Sequence, residues 1–424
     1  MRAALINGAW LLLDRVLRIS ISIFVGSWVA RHLGPVHYGE LAYVLSLLAL
    51  FQVACTLGLD GPVVRDIVEK PEQASSILGS ALGLRLVAGV IGWIAAIAIM
   101  VWLRPGDQAA LMMIVISGAS LVFQPAEVID LWLQSQSQSR LTIPLRFFAY
   151  IIVALGKIIL IITDAPLWAF SAAALSEVLF VTAALVLFHF RRSEKLAWIW
   201  NISTAKILFF ESWPLMLAAV SISIYVRIDQ IILRELADER QLGIYSAIVP
   251  FSQAWYMVPM IIYSSILPRL AQLQKEDKYI YQRRLQQTFT LMTWGGISAA
   301  AATAACAPWL VNTLLGARYL ESIPVLQVHV MTNAFVFMGV AQNLVIVNER
   351  TPHVAMFKAL VGAAVCVIAN TLFIPRWGAL GSAWAALTSH LFSTVLLNLV
   401  IAPGAFRMQL RALMPIRDLR EIFR

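Results

Sequence analysis

The chain has 424 residues, of which 60% are hydrophobic and only 13% are charged, and its mean hydropathy is +0.79. This composition excludes a soluble globular domain and predicts a protein that crosses a membrane several times. The formal net charge is +9. Most of the basic residues fall in loops on one side of the predicted helices, so the charge indicates membrane topology and argues against nucleic-acid binding.

Apolar segments of membrane-spanning length follow one another with short polar breaks between them. We predict twelve helices, at residues 6–31, 37–59, 76–103, 108–132, 141–163, 166–190, 206–233, 242–267, 286–313, 323–347, 354–374 and 378–402. The excess of Lys and Arg on the side of the termini places both termini in the cytoplasm. No connection between helices is long enough for a folded extramembrane domain.

A faint internal repeat divides the predicted helices into two sets of six. Residues 173–180 (AALSEVLF) resemble residues 385–392 (AALTSHLF), and Tyr38-Gly39 opens its helix much as residues 242–245 (LGIY) open theirs. The fold class we predict is an all-α integral membrane protein with twelve transmembrane helices in two six-helix lobes related by this repeat. The lobes would span residues 1–200 and 201–403, and residues 404–424 would form a basic cytoplasmic tail.

Charged residues inside the predicted helices are the candidate functional groups. Asp14, Arg15 and Arg18 lie in the middle of the first helix, where a charge facing lipid costs roughly 2.5 to 3.5 kcal/mol. They break its apolar run, so we expect this helix to be retained and not cleaved as a signal peptide. The set of candidate substrate-binding cations is Arg15, Arg18, Arg85, Arg146, Lys157 and Arg227. Buried guanidinium groups predict an anionic partner such as a phosphate or a diphosphate, which accepts bidentate hydrogen bonds.

Two alternatives remain open for these cations. Arg146 and Arg227 are near helix ends and can also extend to the membrane interface, and Lys157 can also pair with Glu177 across neighbouring helices. The carboxylates that are candidates for ion coupling are Asp14, Glu177, Glu211 and Asp229. Desolvation raises the pKa of a buried carboxyl group and a nearby Arg lowers it, so the sequence does not decide which of them takes up a proton.

Metal sites, disulfides and nucleotide-driven transport are not indicated. Cys55, Cys306 and Cys366 lie singly in apolar runs, and His32 and His37 have no companion ligands. The chain contains no G-x-x-x-x-G-K-[ST] sequence, so ATP is not expected to drive it. We expect no cofactor, which leaves a gradient of H⁺ or Na⁺ as the candidate source of energy.

Several short motifs resemble those of the Wzx-type O-antigen and polysaccharide flippases of the multidrug/oligosaccharidyl-lipid/polysaccharide (MOP) exporter superfamily. They occur in the order VARHLGP (29–35), Tyr38-Gly39, LGLD (57–60), RIDQ (227–230), LGIYSA (242–247), Ile374-Pro375 and WGALGSA (377–383). Each motif is degenerate alone, but together they span nearly the whole chain. Lipid II flippases of this superfamily typically have two further helices, which the sequence does not show.

The resemblance implies a cationic cavity and the transfer of undecaprenyl-diphosphate-linked oligosaccharide repeat units across the bacterial cytoplasmic (inner) membrane, for O-antigen, capsule or exopolysaccharide assembly. Membrane lipids, a polysaccharide polymerase and a chain-length regulator would be further partners. Arg15, Arg18 and Arg85 correspond to cavity arginines of the family only by helix and depth. A cation-coupled drug or small-molecule exporter of the same superfamily and, from another class, a membrane polymerase or ligase for lipid-linked sugars are the alternatives.

Overall fold

A computed structural model of the chain describes residues 2–136, 138, 141–191, 197–349 and 351–414, without the side chains of residues 2–15 and 352. These residues form helices and connecting turns, with no strand among them. The α-helices are α1 (Arg2–Cys55), α2 (Asp60–Glu69), α3 (Ala74–Leu103), α4 (Gln108–Gly118), α5 (Ser120–Phe123), α6 (Val128–Ser135), α7 (Thr142–Ile162), α8 (Leu167–Arg191), α9 (Ile202–Leu236), α10 (Glu239–Gln253), α11 (Met257–Glu276), α12 (Lys278–Leu310), α13 (Ser322–His329), α14 (Thr332–Asn348), α15 (Pro352–Leu391), α16 (Asn398–Ile401) and α17 (Pro403–Leu413). Short 3₁₀ segments lie at Pro71–Gln73, Gln124–Glu127, Ala254–Tyr256 and Ala317–Tyr319, and π-helical segments at Val311–Leu315 and Phe392–Leu396.

Within the described residues, nine helical segments are long and apolar enough to cross a membrane. They are Val16–Glu69, Pro71–Leu103, Gln108–Ser135, Thr142–Ile162, Leu167–Arg191, Ile202–Leu236, Lys278–Leu315, Ser322–Asn348 and His353–Ile401. The chain is therefore a multi-pass, all-helical membrane protein, as predicted. The count of twelve helices and the repeat between two lobes stay predictions.

Glycines interrupt the two longest helical segments. Gly34 (φ 72°) breaks α1 between the first two predicted helices, and Gly378 (φ 54°) breaks α15 at the first residue of the last predicted helix. Both glycines adopt positive φ. A residue with a side chain is strained in this conformation, whereas glycine is not. An unbroken helix of 54 residues such as α1 would be about 80 Å long, far more than the roughly 30 Å of a hydrocarbon core.

The chain forms two compact units. Unit 1 comprises the residues up to Leu33 together with Glu40–Arg227, and unit 2 comprises Gly34–Gly39 together with the residues from Ile228 onward. The chain passes from one unit to the other inside α9. The lobe boundaries that the sequence predicts stay a prediction.

Unit 1 has an apolar core between α2, α3, α6 and the start of α9. Leu59, Val63, Leu78 and Leu133 are almost completely buried in it. Packing of α2 on α3 and α6 places the start of α2 beside the middle of α3. The core therefore holds Asp60, the first residue of α2, next to the charged residues of the neighbouring helices.

Unit 2 contains a close backbone approach at two motif glycines. A Cβ atom on Gly39 would collide with the carbonyl oxygen of Glu239, and one on Gly243 would collide with the carbonyl oxygen of Pro35. The segment Gly34–Gly39 thus packs directly against the start of α10. Nearby, the side-chain oxygen of Gln241 accepts a hydrogen bond from the backbone N–H of Ala379 (2.9 Å), immediately after the break in α15.

Candidate functional site

Arg85 on α3 is the most buried of the predicted cations. Its side chain is 4% exposed, and its Nη2 atom donates a 2.5 Å hydrogen bond to Oδ1 of Asp60 at the start of α2. The Asp60 side chain is 64% exposed, so the pair has one buried and one exposed partner. Arg85 is therefore held by a carboxylate that the sequence analysis did not place among the charges inside the helices.

Arg146 on α7 is also held by carboxylates. Its Nη2 atom lies 3.1 Å from Oδ2 of Asp130 and 3.7 Å from Oε1 of Glu127. Asp130 is buried and accepts further hydrogen bonds from the hydroxyl of Thr142 (2.6 Å) and the amide of Gln134 (3.1 Å). Since Asp130 is fixed by three donors, Arg146 has a defined position in unit 1.

Glu127 connects these two ion pairs into one group. It interacts electrostatically with Arg85, Arg146, Asp60 and Asp130. We call these five residues the charged cluster. It contains two guanidinium groups and three carboxylates, so its cations are compensated by its own acids.

The two guanidinium groups of the charged cluster retain unused donors. The Nε atoms of Arg85 and Arg146 are buried and have no hydrogen-bond partner among the residues that the structure describes. A cavity of about 10 Å³ lies beside Arg85, between Cys55, Thr56 and Gln124. This volume fits about one water molecule, so Arg85 adjoins a small polar space and not a chamber of substrate size.

Lys157 on α7 and Arg227 on α9 differ from these paired arginines. Both lie in candidate membrane spans and both are half-buried. Neither has an ion pair or side-chain hydrogen bond with any residue in the described part of the chain. In particular, the possible Lys157–Glu177 pair is not formed there. Among the predicted cations whose side chains the structure describes, Lys157 and Arg227 are thus the two for which it shows no acidic partner.

The first helix contributes Arg18 to unit 1, while the side chains of Asp14 and Arg15 lie outside the described residues. Arg18 is half-buried, and its backbone carbonyl accepts a 3.3 Å hydrogen bond from the hydroxyl of Tyr150 on α7. Tyr150 also interacts electrostatically with Arg18 and with Glu177 on α8. The structure thus brings Glu177 and Arg18 near one tyrosine that the sequence analysis had not singled out.

The remaining candidate carboxylates, Glu211 and Asp229, have different surroundings. Glu211 is exposed and pairs with Arg65, with 2.5 Å between its Oε2 and the Nη2 atom of the arginine. Asp229 in unit 2 is buried, and it accepts hydrogen bonds from the hydroxyl of Tyr245 and from the backbone N–H of Gln230 (2.8 Å). Of the two, Asp229 is therefore the buried carboxylate.

Several polar side chains lie around Asp229. The ring of Tyr245 meets the ring of His329 edge to face at 5.5 Å, and Nδ1 of His329 is buried without a hydrogen-bond partner among the described residues. Cys366 and Tyr256 lie within electrostatic range of Tyr245. No group of three or more His, Cys, Asp or Glu side chains suited to a metal ion occurs in the described chain.

Asp60 and Tyr245 are among the site residues that sequence reasoning missed. Asp60 closes the motif LGLD, but it follows the end of the second predicted helix and was therefore not counted as an intramembrane charge. In the structure Leu57 (φ 54°) and Gly58 (φ 65°) turn the chain there, so that Asp60 begins α2 beside Arg85. Tyr245 is in the motif LGIYSA. The resemblance of residues 242–245 to Tyr38-Gly39 was the sequence signal that could have pointed to it.

Comparison with known proteins supports the predicted family. The profile of a family described as "Polysaccharide biosynthesis protein" matches residues 5–274. No curated protein matches the chain in sequence.

Three solved structures show its fold. An inward-facing multidrug resistance MATE family transporter of the MOP superfamily has a TM-score of 0.74 at 13% identity, over 95% of this chain and 96% of the other. The lipid II flippase MurJ in an inward closed conformation has a TM-score of 0.75 at 12% identity, over 95% and 90%. A MOP superfamily transporter from Pyrococcus furiosus, described as having a binding pocket of reverse polarity, has a TM-score of 0.57 at 14% identity, over 97% and 96%.

Proposed function

Because the chain belongs to the family of polysaccharide biosynthesis proteins and has the fold of MOP superfamily transporters, we propose that it flips undecaprenyl-diphosphate-linked oligosaccharide repeat units across the bacterial inner membrane. Transport occurs by alternating access, with both termini in the cytoplasm. The product enters O-antigen, capsule or exopolysaccharide assembly. One protein that shares the fold is itself named a lipid II flippase, which supports a lipid-linked substrate.

The observation that carries the proposal is the pair of uncompensated cations in unit 1. Lys157 and Arg227 are half-buried in membrane-spanning helices and have no acidic partner in the described chain. A cation at that depth is costly unless an anion or water meets it. A diphosphate supplies two negative charges and several acceptor oxygens, so it matches a guanidinium and an ammonium group.

The other predicted cations have supporting roles in this proposal. Arg15 and Arg18 on the first helix add positive charge to unit 1. Arg85 and Arg146 are already held by carboxylates, so the diphosphate would engage only the free donor atoms that their ion pairs leave, or would displace Asp60 and Asp130. We rank Arg85 below Lys157 and Arg227 for this reason.

Ion coupling is assigned to Asp229 in the same proposal. Its carboxylate is buried, whereas that of Glu211 is exposed and paired with Arg65. Uptake of a cation at Asp229 changes the charge of a buried group and alters its hydrogen bond with Tyr245. Asp14 and Glu177 remain candidates on the first unit.

A second candidate function is the export of cationic drugs or other small cations. The charged cluster favours it, because its three carboxylates outnumber its two guanidinium groups and because Glu127 and Asp60 are partly exposed. The fold is shared with a multidrug resistance transporter. For this function Asp60 and Glu127 would meet the substrate, and Lys157 would be dispensable.

Reconstituted vesicles test the proposal. Purified protein in proteoliposomes with a labelled undecaprenyl-diphosphate-linked oligosaccharide should move the label to the opposite leaflet without lengthening the sugar. Lys157→Gln with Arg227→Gln should lower the rate at least tenfold. The matched control is Arg65→Gln, which removes an exposed, already paired guanidinium and should change the rate less than twofold.

Three other outcomes of this experiment would contradict the proposal. Lengthening of the sugar in the vesicles would identify a polymerase or ligase. Accumulation of a cationic dye that depends on Glu127 and not on Lys157, without movement of the lipid, would identify a cation exporter. Equal rates for the wild type and the double variant would refute the site assignment.

A further inference from the structure

A cleft in unit 2 is lined by none of the residues of the proposed transport site. Its volume is about 570 Å³, within the usual range for small-molecule sites. It lies between α11 and α12 and is lined by Ser265, Ile266, Arg269, Leu270, Leu273, Ile280, Arg284, Gln287, Thr288 and Leu291. Half of this lining is apolar, and two guanidinium groups supply its charge.

The two arginines of the cleft lie at similar distances from the turn of a helical hairpin. Asp277 joins α11 to α12, and its carboxylate caps α12 by accepting hydrogen bonds from two backbone N–H groups (2.8 and 3.0 Å). Arg269 lies about 12 Å of helix before this turn and Arg284 about 10 Å after it. The antiparallel arrangement therefore presents both guanidinium groups at one level of the cleft.

No acid neutralises this pair of arginines in the described chain. Nη1 of Arg269 donates to the side-chain oxygen of Gln272 (3.3 Å), and Nη1 of Arg284 donates to that of Gln287 (3.2 Å). Gln287 is buried, so it fixes Arg284 at the edge of the cleft. A neutral amide orients each guanidinium group and leaves its positive charge available for an anion.

The position of the cleft along the helices matches a membrane surface. The helix α12 begins a candidate membrane span, Lys278–Leu315, whose first residues are polar. From Arg284, α12 runs about 10 Å into its apolar part at Leu291, while Ile266 lies one turn beyond Arg269 on α11. Relative to the two arginines, Ile266 and Leu291 lie toward the membrane interior, whereas Leu270, Leu273 and Ile280 lie toward the Asp277 turn, so apolar side chains flank the cationic centre of the cleft on both sides.

We propose that this cleft binds an anionic phospholipid, with the phosphodiester head group on Arg269 and Arg284 and an acyl chain against the apolar wall. Charge complementarity matches the phosphodiester to the two arginines, and the apolar side chains of Ile266 and Leu291 on the interior side of the cleft match the start of an acyl chain. The site is independent of the proposed flipping function, because it uses none of the residues assigned to the diphosphate-linked substrate.

Lipid retention by the full-length protein tests the proposal. Protein is reconstituted in vesicles of equal parts phosphatidylglycerol and phosphatidylcholine, then extracted in mild detergent, and the bound lipids are measured by native mass spectrometry. The wild type should retain phosphatidylglycerol in preference to phosphatidylcholine. Arg269→Gln with Arg284→Gln should lower that preference about 30-fold, the product of about fivefold for each arginine near a membrane surface.

Two further variants separate the cleft from general charge and from misfolding. Lys275→Gln with Lys278→Gln removes two charges from the same hairpin outside the cleft, and it should change the preference less than threefold. Ser265→Trp fills the cleft from its exposed edge and keeps both arginines, and it should lower retention as strongly as the arginine variant.

Three results would overturn the proposal. The first is unchanged lipid preference in the double arginine variant. The second is an equal loss in the lysine control, which would mean a diffuse surface charge. The third is displacement of the lipid by inorganic pyrophosphate beyond that by a salt of the same ionic strength, which would assign the cleft to a soluble phosphate compound. None of these readouts requires transport activity.

Discussion

Asp60→Ala removes the carboxylate that holds the buried guanidinium group of Arg85. The 2.5 Å contact is a hydrogen bond between charged groups, a class that stabilises proteins by roughly 1.5 to 3 kcal/mol. Breaking a fully buried pair costs about 3 to 5 kcal/mol, but Asp60 is 64% exposed, so water takes over part of its role. We therefore expect a loss of about 2 kcal/mol in the free energy of unfolding, about a 30-fold change in the folding equilibrium.

A double-variant cycle measured by urea unfolding in mild detergent isolates the pair. Arg85→Met alone should cost less than Asp60→Ala alone, because methionine fills the space and the carboxylate that loses its partner is 64% exposed to water. Adding Arg85→Met to Asp60→Ala should restore most of the lost stability, giving a coupling energy of at least 1 kcal/mol. An additive cycle, or an Asp60→Ala variant as stable as the wild type, would refute the reasoning.

Three further predictions concern unit 2 and one control site. Gly39→Ala places a methyl group against a backbone carbonyl and should lower the free energy of unfolding by about 3 kcal/mol. Gly156→Ala is the control, because nothing lies within 4 Å of the added methyl group, and it should raise the free energy of unfolding by about 0.5 to 1 kcal/mol in the same assay. Equal effects of the two variants would contradict the close approach. The hydrogen bond from Arg240 lowers the pKa of the Glu321 carboxyl group, so its stabilisation is complete above the unfolded pKa of about 4.3 and is lost as the pH falls through the folded value. The stability difference between wild type and Glu321→Gln should accordingly be largest at neutral pH and disappear near pH 3, and a difference independent of pH would refute the pair. Gln241→Ala leaves the N–H after the break in α15 without its acceptor and should cost about 1 to 2 kcal/mol, a loss that Gln241→Glu should not show.

The membrane class and the helical fold follow from composition and hydropathy, because each spanning helix must satisfy its own backbone hydrogen bonds and leaves a long apolar run in the sequence. Gly34 lies between two predicted helices and Gly378 is the first residue of the last one, so these signals also mark the breaks. The non-helical backbone at both glycines separates α1 and α15 into the successive helices that the sequence indicates.

The candidate site was less accessible to sequence reasoning because ion pairs are tertiary contacts. Arg85 and Asp60 belong to different helices, and only the turn at Gly58 brings them together. Lys157 and Glu177 lie on neighbouring helices of the chain, yet they form no ion pair in the described structure. The position of a cation within a predicted helix therefore identified buried cations. It did not show which of them are paired with an acid.

The most direct test of the account is the affinity of the purified protein for undecaprenyl diphosphate relative to undecaprenyl monophosphate. The lipid tail is the same in both, so the ratio reports the phosphate site alone. The account predicts tighter binding of the diphosphate by the wild type and loss of this preference in Lys157→Gln with Arg227→Gln, while Arg65→Gln retains it. Equal affinities in the wild type, or a preference that survives in the double variant, would contradict the account.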